Sequence, residues 1–313
     1  MLDSNRTAFL FPGQGSQEIG MGNSLAQEYA LAREVFEEAD ASLGLKISQL
    51  SWDGPEDNLN DTINTQPALL VHSVAALRVF LMLIPEFNPA FVAGHSMGEF
   101  SALVAAGALT FQDALKLVRR RGELMKSAGD SSPGGMAAIL GLDIPTLDEI
   151  CSQASTTEQI VQVANDNCPG QVVISGEKNA LERAMAAAGE AGARKVVPLA
   201  VSIAAHSPLM THAQEDFNQA VGVAPIAAPK IPVIGNVSAK PLTTPEEIRE
   251  DLQAQLTERV RWTETIQFLL DQGVDTFVDV GTGNVLTGLV KRINRKTTRL
   301  SLGTPEDFAK IIQ

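Results

Sequence analysis

Short runs of consecutive apolar residues alternate along the chain with longer stretches of helical periodicity. The apolar runs predict buried strands at residues 7–11, 90–93, 231–236, 276–280 and 299–302. The intervening stretches predict helices at residues 24–43, 68–84, 99–106, 111–125, 246–256, 262–272 and 286–293. Strands that alternate with helices in this way are typical of an α/β protein built on a mostly parallel sheet.

The composition changes at residues 128–134, where Gly, Ser and Asp accumulate and a linker is predicted. Beyond it, strands at 135–141, 160–165, 171–175 and 195–199 and helices at 145–154 and 180–191 follow the order β-α-β-β-α-β. That order is typical of a ferredoxin-like module. Longer α/β units resume after residue 200. We therefore predict a large α/β domain of residues 1–128 and 201–313, interrupted by an inserted ferredoxin-like subdomain, residues 129–200.

Composition and charge exclude several classes of function. The chain has 313 residues, 44% of them hydrophobic, and its net charge of −13 argues against nucleic-acid binding. Two cysteines without a CxxC motif and four histidines without HExxH spacing predict neither a disulfide framework nor a metal site. The N-terminal residues lack a signal-peptide pattern, and no stretch resembles the roughly 20 apolar residues of a membrane span. We expect a cytoplasmic protein that does not bind membranes, and a monomer.

The sequence Gly94-His95-Ser96-Met97-Gly98 joins a predicted strand to a predicted helix. Gly94 and Gly98, two residues before and two residues after Ser96, permit a sharp turn that presents the serine hydroxyl, as in α/β-hydrolase-like proteins. Free backbone N–H groups at the helix start, those of Met97 and Gly98, can stabilise an oxyanion. Ser96 is thus a candidate nucleophile in an α/β-hydrolase-like large domain. The alternative is a glycine-rich turn with an incidental serine.

A second glycine-rich loop, residues 13–17, follows the first predicted strand. It is not a dinucleotide fingerprint, because Glu18 stands where the third glycine belongs, and it lacks the Gly-Lys-Ser/Thr of a P-loop. Its backbone N–H groups could face a ligand, or the loop could be a plain connection.

Two further positions are candidates on chemical grounds. The adjacent arginines 119–121 cannot share one helix face, so at least one should point away from the others and could face inward. The alternative for most of them is a solvated basic face. His206 lies at the predicted junction of the two domains and can face a cleft, although a polar boundary residue is the alternative. We expect His72, within a mostly apolar helix, to be a packed histidine.

Together these segments resemble the malonyl-CoA:acyl-carrier-protein transacylases, the malonyl-loading enzymes of bacterial fatty-acid synthesis. The resemblance extends from about residue 8 to about residue 302. It is carried by residues 13–17, 65–69, 94–99, 121–122, 167–173, 205–206 and 279–281.

The resemblance implies three catalytic and selective roles. Ser96 would be the nucleophile that carries the acyl group, and His206 the general base that accepts its proton. Arg121 would pair with the free carboxylate of malonyl. Transfer between two thiols through a serine ester implies ping-pong kinetics. The acyl donor would be malonyl-CoA, and the acceptor the phosphopantetheine thiol of an acyl carrier protein, with no cofactor.

The resemblance also implies supporting residues. The backbone N–H groups of Gln14 and Met97 would form the oxyanion hole. Gln66, Asn165 and Gln171 would be further substrate-binding residues.

The chain departs from the family pattern at two places. Ala205 precedes the histidine, where related enzymes often have Ser or Phe. Residues 258–262 depart from the usual Asn-Pro-Val-x-Trp. Family members orient the histidine through backbone carbonyls near the positions of Val260 and Arg261, so this departure should leave the contact intact.

Three alternative functions remain. A serine esterase or lipase would need an acidic residue to orient its histidine, and no acid between Ser96 and His206 stands in a clear strand-end motif. A patatin-type enzyme, another form of the same serine hydrolase alternative, would need a Ser–Asp dyad with Asp-Gly after a late strand, and residues 279–281 do not supply that motif. A non-catalytic docking domain would not need Ser96, His206 and Arg121. A broader polyketide-type acyltransferase would share the same residues.

Overall fold

The computed structural model describes residues 2–312, and within them the chain forms an α/β fold. Its strands are β1 Thr7–Phe11, β2 Phe91–Gly94, β3 Gly134–Leu140, β4 Val161–Cys168, β5 Gln171–Glu177, β6 Lys195–Pro198, β7 Val233–Ile234, β8 Pro241–Leu242, β9 Thr276–Val280 and β10 Thr298–Leu302. Its α-helices are α1 Asn23–Glu28, α2 Ala30–Leu43, α3 Ile47–Asp53, α4 Glu56–Asn60, α5 Thr62–Leu83, α6 Gly98–Ala105, α7 Phe111–Ser131, α8 Ile144–Ala154, α9 Lys178–Glu190, α10 Thr211–Val223, α11 Pro245–Ala254, α12 Trp262–Asp271, α13 Val285–Ile293 and α14 Pro305–Ile312.

The larger sheet has six strands in the order β10-β9-β1-β2-β7-β8. All its neighbouring pairs are parallel except β7 with β8. The register places Phe11 at the end of β1 opposite Gly94 at the end of β2. The loop after β1 and the Ser96 turn after β2 therefore leave the sheet side by side. Ligand sites of parallel α/β sheets lie at this carboxyl edge.

Helices cover both faces of the larger sheet. On one face, Phe9 and Phe11 of β1 belong to a core with helices that include α2, α5, α6, α7 and α10. On the other face, Ala8 and Leu10 pack with α12 and α13. The strands are apolar on both sides because both sides are buried. The predicted α/β class is confirmed.

The smaller sheet is antiparallel and has the order β4-β5-β3-β6. Helices α8 and α9 pack on it around a hydrophobic core of its own. The first and third strands of the β-α-β-β-α-β unit are thus central neighbours, which confirms the ferredoxin-like order. We propose that residues 129–200 are a subdomain inserted between residues 1–128 and 201–313.

The predicted linker at residues 128–134 is mostly helical, and this prediction was wrong. Helix α7 continues to Ser131 because Ala128 and Gly129 are buried. A Cβ on Gly129 would lie 2.8 Å from a side-chain carbon of Ile203, so this glycine allows close packing and does not end the helix. The single helix predicted at 24–43 is interrupted at Tyr29, which has extended backbone angles.

Helix α5 begins at Thr62, and Pro67 lies inside it and not at its first turn. Proline cannot donate to the carbonyl four residues earlier, that of Ile63, but Arg119 Nη1 donates to this carbonyl at 3.3 Å. Helix α5 is also long and apolar enough to cross a membrane, contrary to the sequence-based expectation. Since 78% of its most apolar stretch is buried within the protein, it is a core helix.

Candidate active site

Ser96 occupies a sharp turn between β2 and α6. An ideal Cβ on Gly94 would lie 2.0 Å from Gly98 backbone atoms, and one on Gly98 would lie 2.2 Å from the Phe11 carbonyl oxygen. Only glycine fits where the strand and the helix cross this closely. Ser96 itself has a φ of 51°, a left-handed conformation that is strained for a residue with a side chain. The predicted strand–turn–helix geometry is therefore present.

One amide side chain clamps this turn. Asn236 follows β7, and its Oδ1 accepts the Ser96 N–H at 2.7 Å while its Nδ2 donates to the Gly94 carbonyl at 2.8 Å. The clamp satisfies two polar backbone groups immediately before the strained position. Sequence patterns gave no signal for Asn236.

His206 lies beside Ser96, with His206 Nε2 2.9 Å from Ser96 Oγ. The other ring nitrogen, Nδ1, donates to the backbone carbonyl of Gln255 at 2.7 Å. Because a carbonyl can only accept, Nδ1 carries the proton and the Nε2 lone pair faces the serine hydroxyl. This is the pair of contacts that a serine nucleophile and its base require.

The carbonyl partner of His206 is not the one expected from the resemblance. The Val260 carbonyl accepts the Asp166 N–H at 2.9 Å, in a bridge between β4 and the segment before α12. Gln255, the residue that follows α11, supplies the acceptor instead. The expectation of a backbone carbonyl and not a carboxylate is confirmed, but its position near Val260 and Arg261 was wrong.

The surroundings of His206 keep its ring neutral. Burial lowers the pKa of His206 to about 3, with a further lowering by the positive charge of Arg121. The backbone of His206 also has a positive φ, of 57°. Its carbonyl accepts a hydrogen bond from Gln162 of the smaller sheet at 2.8 Å. The base is therefore held by the residue that follows α11 and by β4 of the smaller sheet.

Arg121 points inward from α7 and is 1% exposed. Its Nη1 donates to Gln66 Oε1 at 2.9 Å, and its Nη2 donates to Gln255 Oε1 at 2.9 Å and to Ser96 Oγ at 3.1 Å. Its Nε has no partner within the described residues. Burial lowers the pKa of Arg121 to about 10, so the guanidinium remains charged at neutral pH.

The two neighbouring arginines, Arg119 and Arg120, face elsewhere. Arg119 pairs with Glu123 and Asn64 at the surface of α7, and Arg120 lies 3.6 Å from Asp216.

The loop after β1 lies against the Ser96 turn. A Cβ on Gly13 would lie 2.4 Å from the His95 carbonyl oxygen. Within residues 2–312, neither the Gln14 N–H nor the Met97 N–H donates a hydrogen bond. Both N–H groups are therefore unpaired donors on two adjoining segments, and an oxyanion hole requires unpaired donors.

A chain of side chains connects this loop to Arg121. Thr62 Oγ1 donates to Gln14 Oε1 at 2.9 Å, Gln66 Nε2 donates to Thr62 Oγ1 at 2.9 Å, and Gln66 accepts from Arg121. The structure thus places Gln66 in the site.

Asn165 and Gln171 lie outside the hydrogen-bonded group around Ser96. Asn165 is buried in β4, where it forms the bridge to Val260. Gln171 begins β5, and its side-chain oxygen accepts from Arg292 of α13. The residue of this segment that approaches the serine is Asn167, whose Oδ1 lies 2.8 Å from His95 Nε2.

Glu99 is the buried acid of the site, in the first turn of α6 and fully shielded from solvent. Its Oε2 accepts from Gln255 Nε2 at 2.7 Å and from Asn236 Nδ2. Burial, together with the nearby charge of Asp251, raises the pKa of Glu99 well above its usual value. Glu99 lies within residues 94–99, which carry part of the family resemblance, but the sequence alone indicates no role for it.

The remaining candidate groups do not form a second centre. His72 is buried, with Nδ1 2.7 Å from Thr282 Oγ1 and Nε2 2.9 Å from the Gly303 carbonyl, so it is the packed histidine that was expected. Across the described part of the chain, no three His, Cys, Asp or Glu side chains are grouped as metal ligands.

Comparison with known proteins identifies the family of this chain. Residues 8–302 match the family model of the acyl transferase domain. The malonyl CoA-acyl carrier protein transacylase of Bacillus subtilis is 45% identical over 309 residues, which are 99% of this chain and 97% of that protein. The structure is similar to an acyl carrier protein S-malonyltransferase from Vibrio cholerae, with a TM-score of 0.95, 42% identity and coverage of 98% of this chain and 99% of that one.

A malonyl-transacylase solved in complex with a type II PKS acyl-carrier protein is equally similar. It has a TM-score of 0.95 and 42% identity, and the match covers 98% of this chain and 99% of that one. The family match spans nearly the whole chain, and the chain belongs to the acyl transferase domain family.

Proposed function

We propose that this protein transfers a malonyl group from malonyl-CoA to the phosphopantetheine thiol of an acyl carrier protein, for fatty-acid biosynthesis. One observation carries the proposal: His206 Nε2 and Arg121 Nη2 both lie within 3.1 Å of Ser96 Oγ. This group combines a nucleophile, its base and a buried cation. The named relatives support the malonyl donor and the carrier acceptor.

In the first half-reaction, His206 Nε2 accepts the Ser96 hydroxyl proton as Oγ attacks the thioester carbonyl. The backbone N–H groups of Gln14 and Met97 stabilise the oxyanion. When the C–S bond breaks, His206 returns the proton to the leaving CoA thiolate, and malonyl remains as an ester on Ser96. In the second half-reaction, the carrier thiol gives its proton to His206 and attacks that ester, and Ser96 recovers its proton.

Arg121 selects the acyl group in this proposal. Its guanidinium is buried, charged and next to Ser96 Oγ, so an acyl group on the serine places a terminal carboxylate within its reach. A planar guanidinium suits a carboxylate, because two parallel N–H groups can bond its two oxygens. Gln66 and Gln255 hold the guanidinium in place as substrate-binding support.

A serine esterase is supported less well. Esterases of the triad type orient the histidine with a carboxylate, whereas His206 Nδ1 donates to a backbone carbonyl here. A buried arginine beside the nucleophile also has no task in hydrolysing an uncharged ester. A polyketide-type acyltransferase with a broader acyl range remains the second candidate, because one similar structure contains a type II PKS carrier.

Entry of the substrates is proposed along the basic segment 291–299, which holds five Lys and Arg side chains and no acid. Arg292 and Arg295 of this segment, with Arg194, line an open cavity of about 620 Å³. Gln171 lies beside it through its contact with Arg292. We propose that this group attracts the phosphates of CoA and the acidic carrier, with Gln171 and Asn165 as more distant substrate-binding residues.

Helix α7 carries two further exposed cations, Lys116 and Arg120. Helices α7 and α13 pack on opposite faces of the larger sheet. The proposed docking surface therefore omits these two residues.

The proposal includes no cofactor or metal, since the group around Ser96 supplies the acid–base and electrostatic functions itself. Both cysteines are unpaired and buried, which supports a reducing cytoplasmic location. We also propose that the protein is a monomer and that it binds neither membranes nor nucleic acid. Size-exclusion chromatography tests its oligomeric state.

Intact-mass spectrometry tests the function directly. Incubation with malonyl-CoA should add one malonyl group, and addition of a phosphopantetheinylated carrier should remove it and transfer it to the carrier. Ser96→Ala should give neither an adduct nor transfer. A malonyl adduct that persists in Ser96→Ala would overturn the nucleophile, and hydrolysis without transfer would favour an esterase.

A further inference from the structure

We infer that Glu99 is a positioning residue, which sets the orientation of Arg121 and of the Ser96 turn through the side chains of Gln255 and Asn236. The inference rests on the proposed function, because it concerns the selection of malonyl. The carboxylate does not touch the serine, the histidine or the arginine through a hydrogen bond of its own. It acts through two amides that do.

The first amide connects Glu99 to the arginine and the base. Gln255 Nε2 donates to Glu99 Oε2 at 2.7 Å, which directs Gln255 Oε1 toward Arg121 Nη2 at 2.9 Å. The backbone carbonyl of the same residue accepts from His206 Nδ1. Gln255 Nε2 also donates to the Ser96 carbonyl at 3.2 Å. Because a side-chain amide has one donor end and one acceptor end, the acceptors at Glu99 and Ser96 together leave the acceptor end for Arg121.

The second amide connects Glu99 to the nucleophile. Asn236 Nδ2 donates to Glu99 Oε2 and to the Gly94 carbonyl, which leaves Asn236 Oδ1 as the acceptor for the Ser96 N–H. If the two ends of the Asn236 amide were exchanged, its NH₂ group would face the Ser96 N–H, and two donors cannot form a hydrogen bond with each other. One carboxylate oxygen therefore accepts from both amides, and it holds their orientation together with the Ser96 carbonyl for Gln255 and the Gly94 carbonyl for Asn236.

Both amides come from chain segments distant from Glu99 in sequence. Asn236 follows β7 and Gln255 follows α11, whereas Glu99 is three residues after the nucleophile. Arg121 and Asp251 are the charged groups that act on Glu99, the first attractive and the second repulsive. Glu99 Oε1 has no partner within the described residues, so only one oxygen is needed for positioning.

This geometry predicts different results for loss and for conservative replacement. Glu99→Ala removes the acceptor and should slow acylation of Ser96 by malonyl-CoA on the order of 10²-fold, the effect of a small misplacement of catalytic groups. Acetyl-CoA should lose a smaller factor, because it does not use Arg121. Glu99→Gln retains one carbonyl oxygen that can accept from both amides, so it should recover most of the rate and the malonyl-to-acetyl ratio.

The test measures single-turnover acylation of Ser96 by malonyl-CoA and by acetyl-CoA in wild type, Glu99→Ala and Glu99→Gln, with intact mass as the readout. Asp279→Asn is the matched control, because Asp279 is also a buried carboxyl with one unpartnered oxygen and hydrogen-bonds Leu286, away from the serine. Thermal unfolding gives the folded fraction of each variant. If Glu99→Ala does not fold, Glu99→Asp takes its place, since its shorter side chain cannot reach both amides.

A lowered malonyl-to-acetyl ratio in Glu99→Ala or Glu99→Asp, restored in Glu99→Gln, supports the inference. Equal losses for the two donors, or a Glu99→Gln variant as impaired as the loss variant, would overturn it. Failure of wild type to accept malonyl at all would overturn the proposed function instead.

Discussion

Arg121 Nη2 donates to Ser96 Oγ at 3.1 Å, so the buried cation of the site touches the nucleophile itself. The contact shares the serine oxygen with His206 Nε2, which lies at 2.9 Å. A cation this close stabilises negative charge on the oxygen and lowers the pKa of the histidine. It also places a charge partner next to any acyl group that the serine carries.

Arg121→Ala should therefore change which donor the enzyme prefers. A malonyl carboxylate left without its partner costs roughly 3–5 kcal/mol, so kcat/KM for malonyl-CoA should fall on the order of 10²–10³-fold. Acetyl-CoA has no carboxylate, and its rate should hold or rise. The measurement is a competition of the two donors read by intact mass, with Arg120→Ala as the exposed neighbouring control. Equal losses for both donors would mean a structural arginine.

Ala205 should permit slow acceptance of a branched donor. This small residue precedes the base, so it leaves space near the α-carbon of the acyl group. Methylmalonyl-CoA should acylate wild type slowly, and Ala205→Phe should suppress that reaction while malonyl-CoA is still accepted. The same intact-mass competition, extended to methylmalonyl-CoA, measures both rates. An unchanged methylmalonyl rate in Ala205→Phe would place the α-carbon elsewhere.

His206 should act as a base down to unusually acidic pH. Its pKa is lowered to about 3 from the ordinary 6.5, so the neutral form persists in the free enzyme well below pH 6.5. The kcat/KM for acetyl-CoA, which has no carboxylate to titrate, should stay flat between pH 8 and pH 5 if the protein remains folded. Arg121→Gln removes a positive charge that lowers this pKa, so the acid limb of the profile should move to higher pH.

The role of His206 itself is checked by replacement. His206→Ala should slow acylation by a factor on the order of 10²–10⁴, the usual contribution of general acid–base catalysis. His212→Ala is the matched control, because His212 is exposed on α10. Near-normal acylation by His206→Ala would refute the assignment.

The basic segment 291–299 should affect binding of the carrier protein and not the rate of the chemical steps. Reversal of charge at Lys291 and Arg295 should raise KM for the carrier and flatten its salt dependence, because electrostatic steering weakens. Transfer to free pantetheine should be unchanged. A double reversal at Lys46 and Lys178, exposed positions outside the segment, controls for the same change in net charge. If the two double variants have the same KM for the carrier, the docking surface lies elsewhere.

Local patterns in the sequence were sufficient for the α/β class and for the turn that carries Ser96, and the family resemblance added His206 and Arg121. The period of the apolar residues predicted the α/β class and the β-α-β-β-α-β insert. The flanking glycines predicted the Ser96 turn, since close crossing of a strand and a helix excludes a Cβ. Three adjacent arginines cannot share one helix face, and the family resemblance selected Arg121 as the one in the site. The elements and the turn depend on residues close together in the chain, whereas the resemblance draws on segments from residue 13 to residue 281.

The tertiary structure alone decided which distant groups hold those side chains. The acceptor for His206 is the Gln255 carbonyl, because β4 uses the Val260 carbonyl for its own bridge. Helix α7 continues through the predicted linker, because Gly129 packs against Ile203. Glu99, Asn236 and Gln255 meet from three separate segments, and no local pattern encodes a hydrogen bond between residues more than a hundred positions apart. These residues come into contact only when the fold places the segments that follow β2, β7 and α11 next to one another.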